Sequence, residues 1–334
     1  MIWYNDLNDG IIISTRIRLA RNLAREPFPA TLPERDRERV KNILSDSILK
    51  SNSTLSGDFK LYNLDELTVA EKTAMLEEHL ISPQMTSGKD RAVLVNKNRT
   101  MSIMLMEEDH IRLQVIMGGY CLDKAYDLAD KVDDVMEESL DYAFDEKFGY
   151  LTACPTNAGT GMRASVMMHL PALVMTGNIS RVMQSFSGVG IAVRGLYGEG
   201  TEAEGCLYQI SNSITLGLSE KEIIEKLETV VNKIADMERQ ARDLLMKNHE
   251  DDFSDRLYRS YGTLKYARKI TSKEAKSMLS EVMLGQNMGI INCDGKMTPL
   301  ELMIKTAPAV LSGKDALSPD ERDKKRAELI RENL

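Results

Sequence analysis

Apolar and polar positions repeat with different periods along this chain, and the periods divide it. Ile11-Ile12-Ile13-Ser14-Thr15-Arg16-Ile17-Arg18-Leu19 mixes β-branched residues with alternating polar ones, which predicts a strand. Ala92-Val93-Leu94-Val95 and Ser102-Ile103-Met104-Leu105-Met106 flank Asn96-Lys97-Asn98-Arg99 and predict a hairpin. Gly190-Ile191-Ala192-Val193-Arg194 and Cys206-Leu207-Tyr208-Gln209-Ile210 predict a further pair of strands. Helices are expected between them at residues of about 67–80, 122–143 and 160–175. This order has no regular βαβ alternation, so the expected class is α+β, a mainly antiparallel sheet flanked by helices.

After Ser219 the period changes. Ile223, Leu227, Val230, Ile234, Met237, Ala241 and Leu244 are alternately four and three apart, one apolar seam along a long helix. Thr271-Ser-Lys-Glu274, Thr298-Pro-Leu-Glu301 and Ser318-Pro-Asp-Glu321 then have the form of capping boxes, with a hydroxyl at the cap and Glu three residues on. An all-α C-terminal domain is expected, residues 241–334, after a sheet-bearing domain of residues 1–240.

Composition narrows the function classes. The 334 residues are 43% apolar and 28% charged, ordinary for a globular protein. A formal net charge of -8 argues against direct nucleic-acid binding, which needs a basic face. Neither a signal peptide nor a membrane-length apolar run is visible. Cys121, Cys154, Cys206 and Cys293 are scattered without CxxC spacing, so the expectation is a reducing cytoplasm and no resident metal.

The candidate chemistry lies at abrupt changes of pattern. The run Ile103–Met106 ends in Glu107-Glu108-Asp109, followed at once by His110 and Arg112. Arg16 and Arg18 share one strand face. Arg163 follows Asn157-Ala-Gly-Thr-Gly161, and Arg194 opens Arg194-Gly-Leu-Tyr-Gly-Glu-Gly200. These four arginines and Arg112 fit either of two arrangements, solvated surface charges or a guanidinium cage for a polyphosphate. Glu108 and Glu199 read either as solvated loop acids or as a pair gripping a cationic substrate. Cys154 is either an inert thiol or a thiolate beside arginines, and His79 a helix-end residue or a ligand. No GxxxxGK[ST] occurs, which excludes a P-loop.

In this order, "STRIRLARN", "MEEDHIRLQ", "GYLTACPTNAGTGMRASV" and "RGLYGEG" resemble the catalytic domain of the phosphagen, or guanidino, kinases. Only thirteen residues precede Ser14, whereas that family carries a helical domain there. The extra helices lie instead at the C-terminus, an arrangement similar to the bacterial protein-arginine kinases of the same family. "RDKKRA" fits their phosphoarginine-binding motif, although Arg322 and Arg326 are also plain i,i+4 neighbours on a helix face.

The resemblance implies transfer of the γ-phosphoryl group of ATP to arginine side chains of proteins, with Mg²⁺ arriving on the nucleotide. It implies Glu108, Glu199 and Cys154 as catalytic residues. Nucleotide would meet Ser14, Thr15, Arg16, Ile17, Arg18, His79, Arg112, Arg163, Ala164, Ser165, Val166, Met167, Arg194, Gly195, Leu196, Tyr197, Gly198 and Glu199. Phosphoarginine would meet Arg322, Asp323, Lys324, Lys325, Arg326 and Ala327. Implied partners are arginine-bearing protein substrates, among them a transcriptional repressor, the zinc-binding activator McsA, the Clp protease machinery, and a second copy of the chain. Two other functions keep a place: a kinase for free arginine or another small guanidine, and an inactive adaptor that binds nucleotide or phosphoarginine.

Overall fold

The computed structural model describes residues 10–195, 204–293, 295–313 and 317–334. In chain order the elements are β1 (Ile12–Arg21), α1 (Glu34–Leu49), β2 (Phe59–Asn63), α2 (Val69–Glu77), β3 (Ala92–Asn96), β4 (Met101–Leu105), β5 (Ile111–Gly118) and α3 (Leu122–Glu137). There follow β6 (Phe144–Asp145), β7 (Gly149–Tyr150), β8 (Met162–His169), α4 (Pro171–Met175), α5 (Ile179–Ser187), β9 (Ile191–Gly195) and β10 (Leu207–Asn212). The chain ends in α6 (Glu220–Tyr266), α7 (Ser272–Asn287), α8 (Pro299–Lys305), α9 (Pro308–Ser312) and α10 (Pro319–Asn333).

Eight strands form one sheet in the order β2-β3-β4-β5-β1-β8-β10-β9, while β6 and β7 make a separate ribbon. The class is α+β with a mainly antiparallel sheet, as the mixed periods imply. The expected hairpin is β3 and β4, with Val93 opposite Met104. Its neighbour β5 sets Met104 opposite Arg112 and Leu105 opposite Ile111.

Two compact units share these elements. Among the described residues, the first comprises residues 15–165 and 211–227, and the second residues 10–14, 166–210 and 228–334. In the first, Leu64, Met75, Leu80, Ile81, Met85, Val93, Val95 and Met104 make one apolar cluster. In the second, Leu279, Val282, Leu284, Leu300 and Leu302 are fully buried. Glu238 of α6 is buried there, accepting the Ala172 and Leu173 N–H groups at the start of α4 at 3.1 and 3.0 Å and an Arg242 N–H at 2.9 Å.

One expected helix is corrected. Residues 160–175 are mostly a strand, β8, with only the five-residue α4 behind it. All of β8 except Arg163 is buried, and a strand covered on both faces reads as a continuous apolar run that periodicity cannot tell from a buried helix. The long helix follows its seam through Ala241, but Leu244 is 54% exposed. At His249 the helix kinks, with φ -146 and ψ 37. The boxes at Thr298 and Ser318 close reciprocally, and the Thr271 hydroxyl accepts the Glu274 N–H.

Candidate active site

The acidic corner is the tip of the β4–β5 hairpin. Strand pairing ends at Leu105 and Ile111, and residues 106–110 turn the chain. Met106 adopts a left-handed φ of 62 there and donates its N–H to the His110 carbonyl at 3.0 Å. The three adjacent acids thereby take three different directions. Glu107 is buried; one of its oxygens accepts from Arg112 Nη1 at 2.6 Å and the other from the Ser82 hydroxyl. Glu108 faces a cavity of about 240 Å³ whose other walls include Arg18, Arg112, Cys154 and Arg163. Burial and the neighbouring Asp109 charge push the Glu108 carboxyl up, against the pull of Arg112.

The guanidinium groups come from three neighbouring strands. Arg16 and Arg18 are the half-buried positions of β1, with Arg112 on β5 to one side and Arg163 on β8 to the other. Burial first, then the charges of Arg112 and Arg163, lowers the Arg16 pKa to about 10. Burial and the same like charges, with Arg16 added, push Arg18 down further, and its buried Nε has no hydrogen-bond partner among the described residues. Buried like charges repel, and a buried donor without an acceptor is costly. A polyanion would relieve both, since guanidinium forks match phosphate oxygens.

Two residues outside the expected set hold this corner in place. Asp109 is buried and accepts the Asn22 amide at 2.6 Å and the Ala153 N–H at 2.7 Å. Asn22 also donates to the Leu151 carbonyl at 3.1 Å and accepts the His110 N–H at 2.9 Å. The pair thus ties the hairpin tip to the segment that leads into Cys154, whose Sγ lies 3.0 Å from the Thr156 hydroxyl. Nothing local marks Asn22, because its partner is 87 residues away. Gly161 lets β1 and β8 close beside the cavity: at φ +62, a Cβ there would lie 2.6 Å from the Ala20 carbonyl.

The remaining expected residues fall as follows. Thr15 is buried, with its hydroxyl donating to the Gly119 carbonyl at 2.8 Å and accepting the Cys121 N–H at 3.0 Å. Ile17 is fully buried, on the face of β1 opposite Arg16 and Arg18. His79 follows α2 with φ 62, and its carbonyl accepts from Gln114, two residues beyond Arg112 on β5. In the first unit, the Ala164 N–H goes to Asn212 at 2.8 Å and the Ser165 hydroxyl to the Arg16 carbonyl at 3.4 Å. In the second unit, Ser14, Val166 and Met167 are buried, and Arg194 and Gly195 end β9. Leu196, Tyr197, Gly198 and Glu199 lie outside the described residues.

In the tail, Arg326 is only 2% exposed and so does not stand on a solvated helix face. Its Nε donates to the Thr306 carbonyl at 3.0 Å, and its Nη1 to the Ile270 carbonyl at 2.9 Å and to Asp323 at 2.6 Å. Ala327 is buried, Lys324 pairs with Asp320 on the outside, and Lys325 is exposed. The Nε of Arg322 is buried without a partner among the described residues.

Comparison with known proteins agrees with this geometry. Residues 39–241 match the C-terminal catalytic domain of the ATP:guanido phosphotransferases, and residues 250–334 the C-terminal domain of the protein-arginine kinase McsB. The chain is 47% identical to the protein-arginine kinase of Caldanaerobacter subterraneus subsp. tengcongensis, over 97% of each chain. It is 49% identical to that of Halothermothrix orenii, over 97% of this chain and 93% of the other. Among solved structures, lombricine kinase aligns with a TM-score of 0.62 at 24% identity, over 75% of this chain and 71% of its own, which speaks to fold alone. With its catalytic and C-terminal regions both matched, the chain belongs to the ATP:guanido phosphotransferase family.

Proposed function

We propose that the chain transfers the γ-phosphoryl group of ATP to arginine side chains of proteins. One observation carries this reading: a single cavity joins the carboxyl of Glu108 to Arg18, Arg112 and Arg163, and the buried Nε of Arg18 has no hydrogen-bond partner among the described residues. The arginines would hold the phosphate oxygens, and Glu108 the acceptor guanidinium. A protonated guanidinium has no lone pair to attack with, so its nitrogen must lose a proton as the P–N bond forms and the bond from phosphorus to the ADP oxygen breaks. Glu108 takes that proton, and its raised pKa suits it to do so. Arg18, Arg112 and Arg163 stabilise charge on the transferring group. Bound to the nucleotide, Mg²⁺ would supply further neutralisation.

By the resemblance, Arg194 serves nucleotide binding, Glu199 pairs with Glu108, and Cys154 orients the guanidinium. The kink at His249 and the family matches on either side of it support a boundary near residue 240 between catalytic and C-terminal domains. The match to the C-terminal domain of a protein-arginine kinase supports a phosphoarginine site at residues 322–327. It also supports the partners that go with such a kinase: the activator McsA, a repressor substrate, the Clp protease and a second subunit, all in the cytoplasm.

Mass spectrometry of a basic protein after incubation with ATP, handled without acid, tests the reading. Phosphate on arginine of the protein and not on free arginine is expected. Transfer to free arginine alone would make the chain a small-guanidine kinase, and no ATP turnover would make it an adaptor. Glu108→Gln is expected to lower kcat about 10²–10⁴-fold with nucleotide affinity kept.

A further inference from the structure

Beside the cavity, on the same unit, lies an apolar face that the phosphoryl transfer does not use. Phe144, Phe148, Ile214 and Leu216 are 58, 47, 45 and 49% exposed, four of the ten large apolar side chains left exposed among the described residues. They come from separate segments brought to backbone contact. The Tyr150 N–H donates to the Gly159 carbonyl at 2.8 Å, and the Thr160 N–H to the Thr215 carbonyl at 3.2 Å. Gly159 passes so close that a Cβ on it would lie 2.4 Å from the Thr215 oxygen and 2.9 Å from the Leu216 Cα. The Phe144 and Tyr150 rings meet edge-on at 5.2 Å, which extends the face along the β6–β7 ribbon.

The face is joined to the cavity by one short loop. The Thr215 hydroxyl donates to the Thr156 carbonyl at 2.9 Å and the Ala158 carbonyl at 2.6 Å. Thr156 and Asn157 line the cavity with Cys154, and Pro155 and Thr156 are exposed at its rim. An acceptor arginine in a polypeptide reaches inward with three methylenes, so its main chain must cross the surface at the mouth. Apolar area grouped at such a place marks an interaction surface.

We propose that this face binds the polypeptide flanking the acceptor arginine, and favours apolar side chains next to that arginine. The inference rests on the protein-arginine kinase reading, and its test separates the two. Two peptides carry one arginine each, flanked by Leu and Phe in one and by Gly and Ser in the other.

Wild type is expected to phosphorylate both, with the lower KM for the apolar one. Phe148→Ser with Leu216→Ser is expected to raise that KM about tenfold and to leave the polar peptide unchanged, which also reports that the variant is folded. No preference in wild type, or an equal KM in the variant, overturns the face. Phosphorylation of neither peptide overturns the kinase reading instead. A photo-reactive phenylalanine in the apolar flank is expected to label residues 144–148 or 214–216 of wild type; labelling elsewhere overturns the face. A fall in molar mass of the variant by light scattering, together with an unchanged KM, would assign the face to a second copy of the chain.

Discussion

The cavity and the tail both bury arginine, under opposite conditions. At the cavity Arg16 and Arg18 are crowded by Arg112 and Arg163, burial depresses their pKa values, and Arg18 keeps a donor without an acceptor. In the tail, Arg326 spends its donors on two main-chain carbonyls and Asp323. A buried cation left in deficit points to a ligand, and one already satisfied points to structure. Burial and residue type alone distinguish neither.

The largest expected effect comes from removing the satisfied one. Arg326→Ala strands two carbonyls and the Asp323 carboxylate, and breaking a buried pair in this way costs about 3–5 kcal/mol. Urea unfolding measures it, and a loss below about 1 kcal/mol would erase the contrast. The same result bears on experiments in the tail, since replacing Arg322 and Arg326 together confounds ligand binding with folding.

Arg18→Met sharpens the contrast from the other side. It removes a cation in deficit, so the free protein is expected to keep or gain thermal stability. The variant is expected to lose the stabilisation by nucleotide, which for wild type is about 2.7 kcal/mol at a ligand concentration of 100 Kd. A melting temperature that falls without nucleotide and still rises with it would show Arg18 to be structural.

These distinctions were only partly legible in the sequence. The hairpin of β3 and β4 was, because turn residues separate two strand runs, and so were the caps at Thr298 and Ser318, whose partners are three residues apart. The separate roles of Glu107 and Glu108 were not, because the left-handed turn at Met106 decides which acid meets Arg112 and which meets the cavity. Local spacing makes Arg326 only an i,i+4 neighbour of Arg322, and the resemblance makes it a phosphoarginine ligand; neither shows its carbonyl acceptors, 20 and 56 residues away. The cavity gathers Arg18, Glu108, Cys154 and Arg163, which the resemblance names on separate segments and which local pattern alone could not join, since they are far apart in the chain.

Protonation offers a smaller contrast within the site region. Burial lowers the His110 pKa from 6.5 to about 4, so between those values the unfolded chain binds the proton and the native state does not. Stability from this residue is therefore full above about pH 6.5 and is lost as pH falls toward 4, at about 1.4 kcal/mol per pH unit. Asp109 beside it, raised by burial, works in the opposite sense, so the comparison is wild type against His110→Gln. The variant is expected to show a flatter fall in unfolding free energy between pH 6.5 and 4. Parallel curves would mean that His110 titrates alike in both states.

Arg322→Ala is the mildest change and the cleanest probe of the tail. Arg322 stands in the first turn of α10, where its main-chain N–H already bonds to the Ser318 carbonyl at 3.0 Å. Its side-chain Nε is buried without a partner among the described residues, so truncation strands no acceptor there. Stability is expected to change by no more than about 0.5 kcal/mol, and phosphorylation of a protein substrate by little. The same deficit that marks Arg18 then predicts a ligand here. Calorimetry with free phosphoarginine is expected to show binding weakened about tenfold to a hundredfold, the worth of one charge-assisted hydrogen-bonded contact. Unchanged binding would mean that Arg322 is a buried donor with no ligand, and that an unsatisfied guanidinium in this protein is not by itself the mark of a site.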